Sequence, residues 1–214
     1  MTVQIWSDVD VDVQTALAAA KVITGITKTN PAVATSDDHG FVVGKIVLLR
    51  IKGFGLLDYA AVRVGAVTAD TFELEDIDAT EFKGAFISGS AAEVTFGVSA
   101  ETITDVTPSG GDAAKTTIST IHKRPDFNIA GKEAPLSYAL GSLWDVEDPA
   151  LQAFRAASRA KKLLVVRFGF PDGTIVLFTA QPSTSLSPGG AAGAAVTTPV
   201  SLDVRGWLQA YAGS

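Results

Sequence analysis

Residues 148–181 read DPALQAFRAASRAKKLLVVRFGFPDGTIVLFTAQ and hold the two clearest local signals in the chain. Near the end, the β-rich runs LLVVRFGF (163–170) and TIVLFTA (174–180) flank a turn built on Asp172 and Gly173. Asp-Gly between such runs is a strong hairpin signal. Upstream, Asp148 is a good N-cap, and Pro149 sits at the first helical position, where its missing N–H costs nothing. Leu151, Phe154 and Ala157 or Ser158 fall on one stripe at helical spacing. Arg155, Arg159, Lys161 and Lys162 gather in the C-terminal half, where cations complement the helix dipole. The spacing predicts one amphipathic helix of about three turns laid against a β-hairpin.

Downstream, the uncharged interval QPSTSLSPGGAAGAA (181–195) is either a flexible loop or an arm that orders on a partner. Such ordering is expected also of residues 1–12 and 207–214. In the run after it, Val200, Leu202 and Val204 alternate with Ser201, Asp203 and Arg205, the period of a half-buried strand. Upstream of the helix, LSYALGSLW places Leu136, Tyr138, Leu140 and Leu143 on one side. Residues 97–117 are turn-rich, broken by Pro108, Gly110 and Gly111, and ISTIHKRPDF is polar and mixed.

From Ile23 to Phe96 short strands alternate with turns. VITGIT, FVVGKIVLLRI, AAVRVGAV, TFELEDI and AEVTF read as strands; NPAV, SDDHG, KGFG, TADT and SGSA read as turns. Five strands in this span suit a small β-barrel that hides its edges. The N-terminus predicts a short strand over Val3–Trp6 and then a short helix over TALAAAKV. Asp12 serves as its N-cap, with Asp8 and Asp10 near its positive end; an acidic solvated turn is the competing reading.

The chain has 214 residues, of which 47% are apolar and 19% charged, with a net charge of −6. A folded body is expected, and so few charges favour burial of surface against other copies. The acidic balance argues against wrapping DNA. The absence of cysteine excludes disulfides, thiolate metal sites and cysteine nucleophiles. No apolar run approaches a membrane span, and the acidic N-terminus does not resemble a signal peptide, so a cytoplasmically assembled protein is expected.

Residues that invite chemistry have plainer readings. Asp37, Asp38 and His39 are consecutive and converge poorly on a metal, so a solvated turn is expected. His122, beside Lys123 and Arg124, reads as part of a charged interface loop. Glu147 and Asp148 precede the helix and read as capping rather than acid–base groups. Trp6, Trp144 and Trp207 read as core or interface anchors. No G-x-S-x-G elbow or phosphate loop is present. No residue is assigned a catalytic, cofactor-binding or metal role.

The order of elements in the C-terminal half resembles tail tube proteins of lambda-like, long non-contractile-tailed bacteriophages. The strand pair, the DPALQAF helix, RFGFPDGTIVLFTAQ, the flexible loop and TTPVSLDVRGW follow one another as in that family, and VQIWSDVDVDVQTALAAAKVI is similar to its opening. The segment ITGITKTNPAVATSDDHGF…GKIVLLRIKGF…VGAVTADTFELEDIDATEF resembles the first catalytic-cysteine half-domain of ubiquitin-activating enzymes, a barrel without catalysis of its own. The resemblance implies a mainly β fold. A tail-tube β-sandwich with one flanking helix would comprise residues 1–22 and 97–214, and an inserted β-barrel would comprise 23–96. It implies a non-enzymatic virion protein that assembles into stacked, hexameric rings around a DNA conduit. The implied partners are further copies, tape-measure protein, tail terminator and distal tail proteins, with DNA passing unbound and no membrane involved. The rival readings are another virion tail or decoration protein, and a two-module carbohydrate-binding or adhesion protein.

Overall fold

A computed structural model describes residues 5–213, with only the backbone of Thr120, Lys123 and Arg124. Its strands begin with Asp10–Leu17 (β1), Lys21–Ile23 (β2), Gly25–Ile26 (β3), Ala32–Thr35 (β4) and Ile46–Lys52 (β5). Ala61–Val67 (β6), Thr71–Leu74 (β7) and the long Ser88–Ser99 (β8) follow. Next come Ile103–Ser109 (β9), Ala113–Thr120 (β10), Lys123–Glu133 (β11) and Ser137–Leu143 (β12). The helix Pro149–Ala160 (α1) leads into Leu164–Gly169 (β13), Ile175–Ser183 (β14) and Thr197–Tyr211 (β15). The protein is therefore mainly β, with α1 the one α-helix among the described residues.

The predicted hairpin and helix form as their residues dictate. β13 and β14 pair from Leu164↔Ala180 to Gly169↔Ile175. Gly173 takes φ +84°, a left-handed conformation open to glycine, and its N–H donates to the Phe170 carbonyl at 2.9 Å. One Asp148 carboxylate oxygen accepts from the amides of Ala150 and Leu151, at 2.8 and 3.1 Å. α1 buries Ala150, Leu151, Phe154 and Ala157 and lies against β14. It ends where Lys161 turns left-handed at φ 52° and the Lys162 amide reaches back to the Ala157 carbonyl.

Thirteen strands join one antiparallel sheet in the order β3-β4-β7-β6-β5-β8-β1-β13-β14-β15-β12-β9, with β2 beside β8. β10 and β11 form a separate two-stranded hairpin. β8 is the shared element: its first half pairs with β2 on one side and β5 on the other, and its second half pairs with β1. One apolar cluster, including Leu49, Val62, Phe72 and Leu74, fills the β2–β8 region. Another, including Val13, Phe154, Phe168 and Phe178, lies under α1. A smaller cluster of Ile46, Leu48, Ala61, Val94, Val165, Leu177 and Tyr211 bridges them.

Several expectations fail. TALAAAKV is not helical: β1 runs through Leu17, and Asp12 caps nothing. Val11 and Val13 are buried, and pairing with β8 at Ala16–Leu17 and again at Lys21–Val22 outweighs the helix preference of the alanines between. Asp12 instead bonds the Arg167 guanidinium, at 2.8 Å from Nε and 2.6 Å from Nη2. The strand expected at Val3–Trp6 falls partly outside the described residues, and Ile5 and Trp6 are not in a strand. VITGIT is split between β2 and β3, and FVVGKIVLLRI becomes strand only at Ile46. NPAV, taken as a turn, supplies β4 after the cis Asn30–Pro31 bond, and SGSA opens β8. The turn-rich 97–117 holds β9 and the start of β10. Leu143 is exposed, whereas Ser142 is buried. The boundary drawn between residues 96 and 97 falls inside β8. Residues 10–12 and 209–211 are already paired in β1 and β15. In the 181–195 interval, Leu186 is buried and its carbonyl accepts from Trp144 Nε1 at 2.9 Å.

Tyr211 ties the C-terminal strand to the β2–β8 region. Its hydroxyl accepts from the Arg63 amide at 2.9 Å, and the Arg63 guanidinium stands 4.6 Å from its ring centroid while bonding Glu75. The bond to Glu75 holds the Arg63 pKa above its ordinary value. Nearby, Gly206 takes φ +75°, and a Cβ there would lie 2.8 Å from the Tyr59 backbone. Glycine lets β15 approach this turn.

Two outcomes follow from burial. Phe154→Ala is expected to cost about 3–5 kcal/mol in chemical denaturation; a loss under about 1 kcal/mol would contradict full burial. Burial pushes the Tyr211 hydroxyl up to about 12 from 10.0. Its folded pKa thus lies above the unfolded one, so its contribution is intact below pH 10 and lost as pH rises towards 12. Tyr211→Phe is expected to flatten that decline in a stability–pH profile, and an unchanged slope would contradict it.

Candidate assembly interface

The residues singled out for chemistry do not gather. Asp37 and Asp38 are exposed, but His39 is buried, which corrects the solvated-turn reading. Its Nδ1 accepts from the Phe41 amide at 2.9 Å, so Nε2 carries the proton and donates to the Thr71 carbonyl at 3.1 Å. The ring contacts those of Phe41 and Phe72. The burial follows from a tertiary contact: Phe41 and Phe72 supply an apolar socket, and the Phe41 amide and Thr71 carbonyl satisfy the imidazole.

His122 lies at the exposed tip of the β10–β11 hairpin. Asp148 caps α1 and also accepts from Thr102 Oγ1 at 2.8 Å, while Glu147 is exposed. Thr80 hydrogen bonds hold the Asp78 carboxyl below its ordinary value in the β7–β8 connection. Among the described residues, no cluster of three or more His, Cys, Asp or Glu is arranged to hold a metal. No helix among them is long and apolar enough to cross a membrane.

The tryptophans lie at three separate places. Trp6 makes an edge contact with Phe168 at 5.7 Å and a tilted one with Phe170 at 5.5 Å. Trp144 pins the 181–195 interval, and Trp207 leans on Phe82 at 6.2 Å between ring centroids.

The surface that stands out is where the sheet fails to close. Among the described residues, β9 pairs with β12 alone, leaving its other edge open. A groove of about 750 Å³ lies between β9 and the start of β1. Trp6, Val9, Ile103 and Val106 supply apolar lining, and Asp8, Asp10, Glu101 and Asp105 supply carboxylates. None of its described lining residues is basic. Beside the groove, Tyr138 stacks on Phe178 at 5.0 Å, and burial raises its hydroxyl pKa. Sequence reasoning missed this surface because β9 was read as turn.

The β10–β11 hairpin is the second unpartnered feature. None of its described side chains is buried, and Ile121, Phe127 and Ile129 are exposed. A two-stranded hairpin is marginal by itself in water, so an open edge and an uncovered hairpin both suit a protein that works in contact with other chains.

A family model described as phage tail tube protein matches residues 52–213, from the last residue of β5 through β15. No curated protein sequence matches the chain. The length of the family match establishes that the chain belongs to the phage tail tube protein family and is a structural component of the virion, not an enzyme.

Proposed function

We propose that copies of this chain close into hexameric rings, and that the rings stack into the tube through which DNA leaves the particle. The family match carries this reading. The open edge of β9 and the exposed hairpin support it, since ring closure and stacking would cover both. The low share of charged residues, 19%, fits a surface largely covered by neighbours. A net charge of −6 suits a passage that DNA crosses without being held. The lambda-like, non-contractile tail type follows from the order of elements around RFGFPDGT. Tape-measure, terminator and distal tail proteins are the expected neighbours of such a tube, which would assemble in the host cytoplasm.

Residues 23–96 are proposed as an inserted module on the outside of the tube, similar to the half-domain of ubiquitin-activating enzymes. A self-contained apolar cluster across β2–β8 supports a separate unit. The bridging cluster with Tyr211 supports a module held firmly to the tube body rather than hung on a tether.

Negative-stain electron microscopy of the purified protein is expected to show hollow rings or tubes. Uniform globular particles at concentrations up to about millimolar, where specific contacts far weaker than those of stable interfaces would be populated, would overturn the self-assembly reading. Placement of the module is tested separately. A peptide tag inserted between the exposed Val42 and Val43 is expected to be labelled along the outside of intact tubes. Intact tubes without outer labelling would refute the placement.

A further inference from the structure

We propose that the β10–β11 hairpin of one copy docks into the acidic groove between β9 and β1 of the next copy, and that this contact stacks the subunits. The inference rests on the self-assembly reading and names the surfaces that would carry it.

Charge is the first argument. Among the described residues, the groove is lined by Asp8, Asp10, Glu101 and Asp105 without a basic residue. The hairpin sequence Ala113–Glu133 carries Lys115, Lys123, Arg124 and Lys132 against Asp126 and Glu133. The hairpin segment is net basic by sequence while the groove is acidic, within a chain that is acidic as a whole, and juxtaposition of opposite charge selects register and suppresses wrong partners.

Apolar surface and backbone give the second. Phe127 and Ile129 of β11 are exposed, and the groove offers Val9, Ile103 and Val106. The open edge of β9 also presents backbone donors and acceptors that an incoming strand can pair. Placement gives the third. The hairpin leaves the sheet through Gly110 and Gly111, just past the Ser109 end of β9, whereas the groove is lined from the Ile103 end. Donor and acceptor thus sit at opposite ends of one strand, which makes the contact heterologous and able to propagate from copy to copy.

Two charge-reversed proteins test the docking. One carries Asp8→Lys and Glu101→Lys in the groove; the other carries Lys115→Glu and Lys132→Glu in the hairpin. Each alone is expected to raise the critical concentration for tube formation at least about tenfold, since opposing like charges cost more than the 1.4 kcal/mol of one decade. An equimolar mixture is expected to recover assembly, because each hairpin then meets a groove of opposite sign. Recovery on mixing also establishes that both proteins are folded. Assembly of either protein at the parent concentration would overturn the proposal. So would a mixture that stays unassembled although both components melt cooperatively like the parent.

Position is read directly by cross-linking, for which the cysteine-free chain is a clean background. A protein with Thr104→Cys and Ile121→Cys, assembled and then oxidised, is expected to give a ladder of covalent multimers. Assembled tubes that yield only monomer on oxidation would overturn the docking. A parent chain that forms neither rings nor tubes overturns the self-assembly reading and this inference together. Tubes that tolerate both reversals overturn the docking alone.

Discussion

Every hydrogen-bonded ladder from β2 to β7 reaches the rest of the sheet through β8. That single twelve-residue strand imposes one register on both apolar bodies. Its first half is sandwiched between β2 and β5, and its second half is tied to β1, where the register shifts around Gln14. A slip by one residue would turn every side chain to the opposite face, and with it Ala91 in one cluster and Val94 in another. The bridging cluster and the Tyr211 hydroxyl fix the same relation from the other side of the sheet. The position of the β9 groove relative to the β2–β8 region follows from this ladder.

The legible parts of the sequence were those whose signals are local. Asp148-Pro149, the Leu151–Phe154 spacing and Asp172-Gly173 each specify their geometry within a few residues, and the structure forms all three. The alternation of Val200 and Leu202 likewise reports burial on one face of β15. The illegible parts depend on partners far away in the chain. TALAAAKV has the composition of a helix, yet its two ends pair with β8, through Ala16 and Leu17 in β1 and through Lys21 and Val22 in β2. β9 and β10 hold strand-favouring Ile, Val and Thr, but Pro108 and the Gly110–Gly111 break between them mask the signal. They are an edge and an outlying hairpin, so they bury little and show little alternation. Because the candidate interface is built from them, it was the part least visible in sequence. His39 was misread for a related reason: SDDHG is polar throughout, and the aromatic socket comes from Phe41 and from Phe72 on a different strand.

Charge and apolar surface are divided in a way that composition hides. Arg167 meets Asp12 and Arg63 meets Glu75 across neighbouring strands, and Arg63 also faces Tyr211. These pairs consume basic residues within the sheet. The carboxylates around the groove are left without cationic neighbours among its lining residues. Family membership makes the chain a virion component, and a component of this kind keeps its unmatched surface for its neighbours.

The pairing of β2 with β8 has a consequence for how such chains diversify. Ile23 and Gly89 are opposite one another in the ladder, so the polypeptide departs from and returns to adjacent rungs of the sheet. Facing residues in an antiparallel pair stand about 5 Å apart, and closing a longer excursion costs only logarithmically more entropy. Sixty-odd residues or a two-residue turn therefore meet the same boundary condition at this rung, within the entropy scaling of flexible loops. Under the proposed insertion, this rung is the point at which the module joins the tube body. The requirement on any newcomer is that its two ends meet and that it covers Val94, Leu177 and Tyr211, as Ile46, Leu48 and Ala61 do here.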